Sequence, residues 1–197
     1  MTGIGGYLAR STGERMRQRV LAGVCVFAVL AAAILAHGSA RAQTSQEALV
    51  KVGFLFNFAR FVDWPQSAFQ DANEVGMCLV GADPFGKALD TLRGKVVAGR
   101  PMQVYRYKAG DSFKKCHVLF VSESEKRHLG EILASVRASP VLLVCEIENF
   151  LELGGMIQLV DLDNRIQFEV NLGVAQKSGL GFSSRLLKVA ANVIGGR

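Results

Sequence analysis

The chain has 197 residues, half of them apolar, with 23 Lys and Arg against 17 Asp and Glu, and four cysteines. That is the length of one ordinary domain with a real core plus something extra. Residues 1–42 hold five of the 23 basic side chains and one of the 17 acidic ones, so the remainder carries only +2; a body so nearly balanced, with no basic stripe beyond Lys114-Lys115, has no electrostatic reason to hold nucleic acid.

From the amino terminus, Val20 to Ala36 is 17 residues without a charge, preceded by Arg10, Arg15, Arg17 and Arg19 and followed by Ala40-Arg41-Ala42. A basic flank, an apolar run and an A-x-A site predict a secretory signal peptide over 1–42, whose removal leaves a single domain over 43–197. A retained signal anchor is the rival, because 17 apolar residues touch the lower limit for crossing a bilayer. Cys25 follows Val24 where a lipid-anchored cysteine wants a small residue, so it is expected to leave with the peptide.

Thr44-Ser45-Gln46-Glu47 has the form of a capping box, which opens a helix expected to run to about Asp63 and to stop before Pro65. Four short runs follow, VGMCLVG, PMQVYRY, CHVLFVS and PVLLVCE. The first, third and fourth lack alternation, as strands buried on both faces do. Asp83-Pro84 ahead of FGKALDTLR and Gly94 predicts a helix with an N-cap, a first-turn proline and a closing glycine. Ser122-Glu123-Ser124-Glu125 reads as a second capping box opening KRHLGEILASVR. Strands alternating with helices predict an α/β fold, a small doubly wound and mostly parallel sheet flanked by helices. MIQLV and RIQFEVN, joined by Asp161-Leu162-Asp163-Asn164, predict an antiparallel hairpin at one edge. Ser183 or Ser184 then caps a last helix expected to bury Leu186, Leu187, Ala190 and Val193 or Ile194.

The stretch KVGFLFNFARFVDWP carries four phenylalanines and the only tryptophan. It is too punctuated for lipid, since Lys51, Asn57, Arg60 and Asp63 interrupt it and each such group is costly in hydrocarbon. On a helical wheel Ala48, Val52, Phe54, Leu55, Phe58, Ala59, Phe61 and Val62 cover about half the circumference, wider than the roughly 100° of an ordinary half-buried helix. Leu49, Phe56 and Trp64 fall outside even that arc. They either cap a long core helix under a loop or extend an apolar patch that a second subunit covers.

Residues that carry chemistry elsewhere find no arrangement here. Cys116 and His117 are adjacent on a strand, so they point to opposite faces and cannot act as a pair. His128 sits in an exposed helix, and no zinc-ligand spacing or cofactor motif occurs. VGADPFG follows the first strand where a doubly wound fold takes an anion, making Gly81, Asp83 and Gly86 a candidate ligand crevice. It lacks both glycine-rich phosphate fingerprints, and Asp83 repels a phosphate unless it turns away to cap the helix. An enzyme is therefore not expected, and a small-ligand receptor is the alternative to a protein-binding module.

Three cysteines outlast the signal peptide, Cys78, Cys116 and Cys145, in a compartment where disulfides persist. In a flavodoxin-like order the strands bearing Cys78 and Cys116 are neighbours roughly 4.8 Å apart, within the reach of a disulfide. Cys145 falls at the far end of its strand from Cys116. Three buried free thiols are the other reading.

Five blocks in this order, VKVGFLFNFARFVDWP, CLVGADPFG, CHVLFVS, FLELGGMIQLV and SGLGFSSRLLKVA, give a chain that resembles the YfiR-like periplasmic repressors over essentially all of 43–197. The resemblance implies a periplasmic α/β domain, usually dimeric, without enzymatic activity. It implies repression of an inner-membrane diguanylate cyclase through the cyclase's periplasmic sensor region, restraining cyclic di-GMP output and biofilm formation. It further implies release by an OmpA-like outer-membrane lipoprotein and sensitivity to redox state, and it pairs Cys78 with Cys116. Members with a second bridge use a cysteine near FLELGG; here Cys145 has no such mate and is expected either as a buried free thiol or as a link between chains. The candidate partner or dimer surfaces are Leu49, Phe56 and Trp64 on the outside of the first helix, and Ile166, Phe168 and Val170 on the hairpin, whose alternate residues share between core and solvent; simple core is the other reading of either patch.

Overall fold

The computed structural model describes residues 46–70, 73–137 and 139–196. The expected signal peptide and cleavage site, Cys25 and the expected capping residues Thr44 and Ser45 lie outside them. The first helix, α1, covers 46–61, and β1 (Val62–Asp63) follows it directly. The helix stops slightly short of Asp63 because these two residues pair antiparallel with β9 (Gly181–Phe182).

The main sheet is built from β2 (Val75–Val80), β3 (Val96–Val97), β4 (Arg100–Tyr107), β5 (Val118–Val121), β6 (Leu142–Cys145), β7 (Ile157–Leu162), β8 (Arg165–Asn171) and β10 (Asn192–Ile194). They lie in the order β10-β8-β7-β6-β5-β2-β4-β3. The strands β4-β2-β5-β6-β7 are mutually parallel, which is the flavodoxin-like order of a doubly wound sheet. Every residue of β2, β5 and β6 is buried, the physical reason these runs show no alternation. Strands β7 and β8 form the expected antiparallel hairpin. Its two turn residues, Asp163 and Asn164, both have positive φ, 54° and 58°, as a type I′ connection requires.

Three predicted helices differ in extent, each because a polar side chain or a strand pairing takes precedence. Asp83 Oδ1 accepts hydrogen bonds from the Phe85 and Gly86 amides. The chain then passes through Gly86 at φ 53°, so α2 is a single turn, Lys87–Asp90, rather than a helix over 84–93. Ser122 makes no side-chain cap. Ser124 Oγ instead accepts from the Ala82 amide and Glu125 faces His128, so the segment begins as a 3-10 helix, Glu123–His128, before α3 (Leu129–Ser135). After the hairpin comes α4 (Leu172–Lys177). Ser183 does cap the last helix, accepting from the Leu186 amide, but α5 (Ser184–Val189) ends early. Asn192, Val193 and Ile194 then add β10 to the sheet edge beside β8, and Val193 is exposed rather than buried.

Two glycines set close approaches. A Cβ at Gly76 would fall on the Lys115 carbonyl, so only glycine lets the start of β2 run against the lead-in to β5. A Cβ at Gly155 would fall inside the Phe150 ring, which explains the second glycine of FLELGG, while Gly154 before it takes a positive φ of 102°.

Candidate functional site

Cys78 in β2 and Cys116, just ahead of β5, form a disulfide with a Cα separation of 5.6 Å. Parallel pairing of β2 with β5 brings them together, and both are buried. Closing a 38-residue separation is worth about 4 kcal/mol in the chain-entropy account. Cys145 is a buried free thiol. Burial pushes its pKa up to about 12, and its Sγ accepts a hydrogen bond from the Ile147 amide at 3.0 Å, so it is inert in the folded chain.

His117 also has a structural post that the sequence did not reveal. Its Nδ1 accepts from the Gly76 amide at 3.0 Å, and its Nε2 donates to the Ala68 carbonyl at 2.9 Å. The ring stacks on Phe69 and meets the edge of Trp64. An isolated histidine leading an apolar strand signals burial, but its two partners lie 41 and 49 residues away and nothing local announces them. A cavity of about 860 Å³ opens at this amino-terminal end of the sheet, with Glu74, Lys114, Lys115, Cys116 and His117 in its lining.

The crevice at the opposite, carboxyl end of β2 is occupied by the chain's own charges. Arg106 reaches Asp83 at 2.8 Å, Asp90 at 3.0 Å and the Gly86 carbonyl at 3.0 Å. Ser124 and Glu125 crowd Gly81 closely enough that a Cβ there would clash with both. Asp83 is thus spent on the turn and on Arg106.

The apolar surface residues separate into three groups. On the core side of α1, Phe54 and Phe58 pack on Phe168, with Phe58 and Phe168 centroids 4.9 Å apart. Phe168 and Val170 are accordingly core, 2% and 0% exposed, and the expectation that they offer an open surface is corrected: α1 lies over this face of the hairpin. Trp64 is half-buried, its Nε1 donating to the Ala59 carbonyl and its ring turned toward Phe69 and His117, so it does not continue a patch with Leu49. Phe56 is partly buried, with the Arg60 guanidinium 5.5 Å and the Lys95 ammonium 5.0 Å from its ring centre, a cation–π arrangement.

The first part of α1 and the hairpin tip stay open, as do Val96, Leu153 and Val189 elsewhere on the domain. Leu49 is 48%, Val50 41% and Leu162 42% exposed. Between the two elements lies a groove of about 430 Å³ lined by Glu47, Lys51, Glu146, Leu162 and Ile166, among others. Lys51 bridges Glu47 and Glu146. Burial acts to lower its pKa, but the hydrogen bonds and charges of the two carboxylates outweigh that and hold the ammonium above its ordinary value. The groove therefore combines a fixed charge cluster with the exposed Leu162 and the partly buried Ile166, a mixture of charge and aliphatic surface suited to a protein contact.

The YfiR/HmsC-like family model matches residues 48–191, from the start of α1 to the approach to β10. That span holds the disulfide, the His117 post and all of the groove lining named above except Glu47, and covers well over half of the chain. The chain belongs to the YfiR/HmsC-like family, periplasmic regulators of diguanylate cyclase signalling.

Proposed function

We propose that the mature domain acts by docking without chemistry: it binds the periplasmic sensor region of an inner-membrane diguanylate cyclase, holds it inactive and so lowers cyclic di-GMP output. The observation that carries this reading is the groove between α1 and the hairpin, where the exposed Leu162 and the partly buried Ile166 line a cleft beside the Lys51 ion cluster. The reactive side chains weighed in the sequence are committed elsewhere: Cys116 to the disulfide, His117 to backbone, Asp83 to its turn and Arg106, Cys145 to burial. The Cys78–Cys116 bridge holds β2 to β5, so reducing it lowers the population competent to dock and makes repression redox-sensitive. The same docking logic accommodates a homodimer and competition by an OmpA-like outer-membrane lipoprotein.

The test is cellular cyclic di-GMP in cells carrying Cys78→Ser with Cys116→Ser, or lacking the protein. Both are expected to raise it; levels equal to wild type in the deletion strain contradict repression. A small-ligand receptor using Gly81 to Gly86 has the Arg106 cluster against it, and nucleotide or amino-acid ligands are expected to leave the melting temperature unmoved.

A further inference from the structure

Between α1 and β2 runs a strap, Pro65 to Phe69, whose 3-10 turn (Gln66–Phe69) contains no buried residue. Segments with so little buried area open at low free energy unless something pins them. The pin is His117. Its Nε2–H donates to Ala68 O in the strap, its Nδ1 accepts from Gly76 N at the start of β2, and its ring stacks on Phe69 at 4.8 Å with the two planes 14° apart. Both ring nitrogens are used, one as donor and one as acceptor, which fits the neutral imidazole with its proton on Nε2, although the Lys115 backbone beside the ring works against that preference.

We propose that His117 is an acid-operated latch: a proton arriving at Nδ1 sets an N–H against the Gly76 N–H and a charge in a buried site, so the ring leaves its post on β2 and, still bonded through Nε2–H to Ala68 O, carries the Pro65–Phe69 strap and Trp64 with it while the sheet stays folded.

The charges around the ring do not cancel this. Burial is the largest influence and pushes the imidazole below its ordinary value; Arg100, whose guanidinium lies 4.4 Å over the Phe69 ring, acts in the same sense. The Ala68 and Lys115 backbone groups and Glu74 oppose it, and the net direction is down. Lys114, Lys115 and Asp111 line the neighbouring cavity together with His117, and the strap from Gln66 to Phe69 brings no charge of its own. A histidine held neutral by the fold contributes stability that is complete above its unfolded value, about 6.5, and is lost as pH falls through the lower folded value. The latch therefore opens on acidification. An exported protein meets the pH of its surroundings, so the device reads a variable the cytosol does not share, and it stands independently of the cyclase reading.

Trp64, the only tryptophan in the chain, is a built-in reporter, with its ring 6.0 Å from that of His117. On lowering pH, its emission is expected to shift to the red with a midpoint below about 6.5 while the far-ultraviolet circular dichroism is unchanged, and His117→Gln is expected to lose that step. Emission that stays constant until the circular dichroism collapses, or a variant that repeats the wild-type step, overturns the latch. Should His117→Gln fail to fold, imidazole NMR on the wild-type protein decides instead. A His117 titration coincident with the Trp64 change carries the proposal, and a ring that remains neutral through that change refutes it.

Discussion

Phe58 of α1 and Phe168 of β8 meet edge to face at 4.9 Å, and through this contact the first helix and the appended hairpin share one core. The stretch rich in phenylalanine is thereby divided by depth rather than by hydrophobicity. Phe58 and Leu55 are sealed, Phe56 lies beside two cations, and Leu49 stands in solvent.

Truncating the sealed Phe58 is expected to be expensive and truncating the exposed Leu49 cheap. Phe58→Ala should cost about 3–5 kcal/mol of unfolding free energy, as large-to-small changes in cores do, and Leu49→Ala less than about 0.5 kcal/mol. Urea denaturation of the two variants measures both, and equal losses would mean that the helix does not sit on the hairpin as described.

Removing the bridge with Cys78→Ser and Cys116→Ser together should lower stability by about 4 kcal/mol, a large share of what a domain this size has. Under the same conditions Cys145 should resist thiol reagents until the chain unfolds, because burial has raised its pKa to about 12 and the reactive species is the thiolate. Thiol counting before and after denaturant checks this.

The flavodoxin-like core was legible because strands buried on both faces write themselves as unbroken apolar runs, and VGMCLV, VLFV and LLVC are all such runs. Neighbouring strands then brought Cys78 to Cys116. The helices were less legible, since Asp83, Ser124 and Glu125 have the residue types of caps but spend their side chains on a turn, a cross-loop bond and His128. Alternation in the hairpin revealed two faces without revealing that α1 covers the one with Phe168. The His117 post was invisible because its partners are distant in sequence and are backbone atoms, whose identity no side chain records.

Tyr105 donates to the Glu74 carboxylate, and that bond, helped by burial, pushes its pKa up to about 12. The fold thus favours the neutral phenol. Its contribution is fully present below the ordinary value of about 10 and is lost as pH rises through the folded value of about 12. An ultraviolet phenolate titration should show a late step that Tyr105→Phe removes, and the variant should lose stability less steeply in that alkaline range.

Gly76→Ala should be among the most damaging single-methyl additions in the chain, because the new carbon meets the Lys115 carbonyl rather than a flexible side chain. Overpacking typically costs about 1–3 kcal/mol, and a rigid backbone neighbour places this site at the upper end. Gly53→Ala, with nothing within 4 Å of the added carbon, should instead leave the melting temperature unchanged or raise it; the reverse ranking would contradict the β2–β5 approach.

The central claim, docking through the groove between α1 and the hairpin, is tested most directly by calorimetric titration of the purified protein into the periplasmic sensor region of an inner-membrane diguanylate cyclase from the same cell. Wild-type protein should bind, and Leu162→Asp combined with Glu148→Arg, both exposed in the groove lining, should weaken binding at least about tenfold, or roughly 1.4 kcal/mol, with an unchanged melting temperature. Undiminished affinity in a folded double variant, or no binding by the wild type, would contradict it.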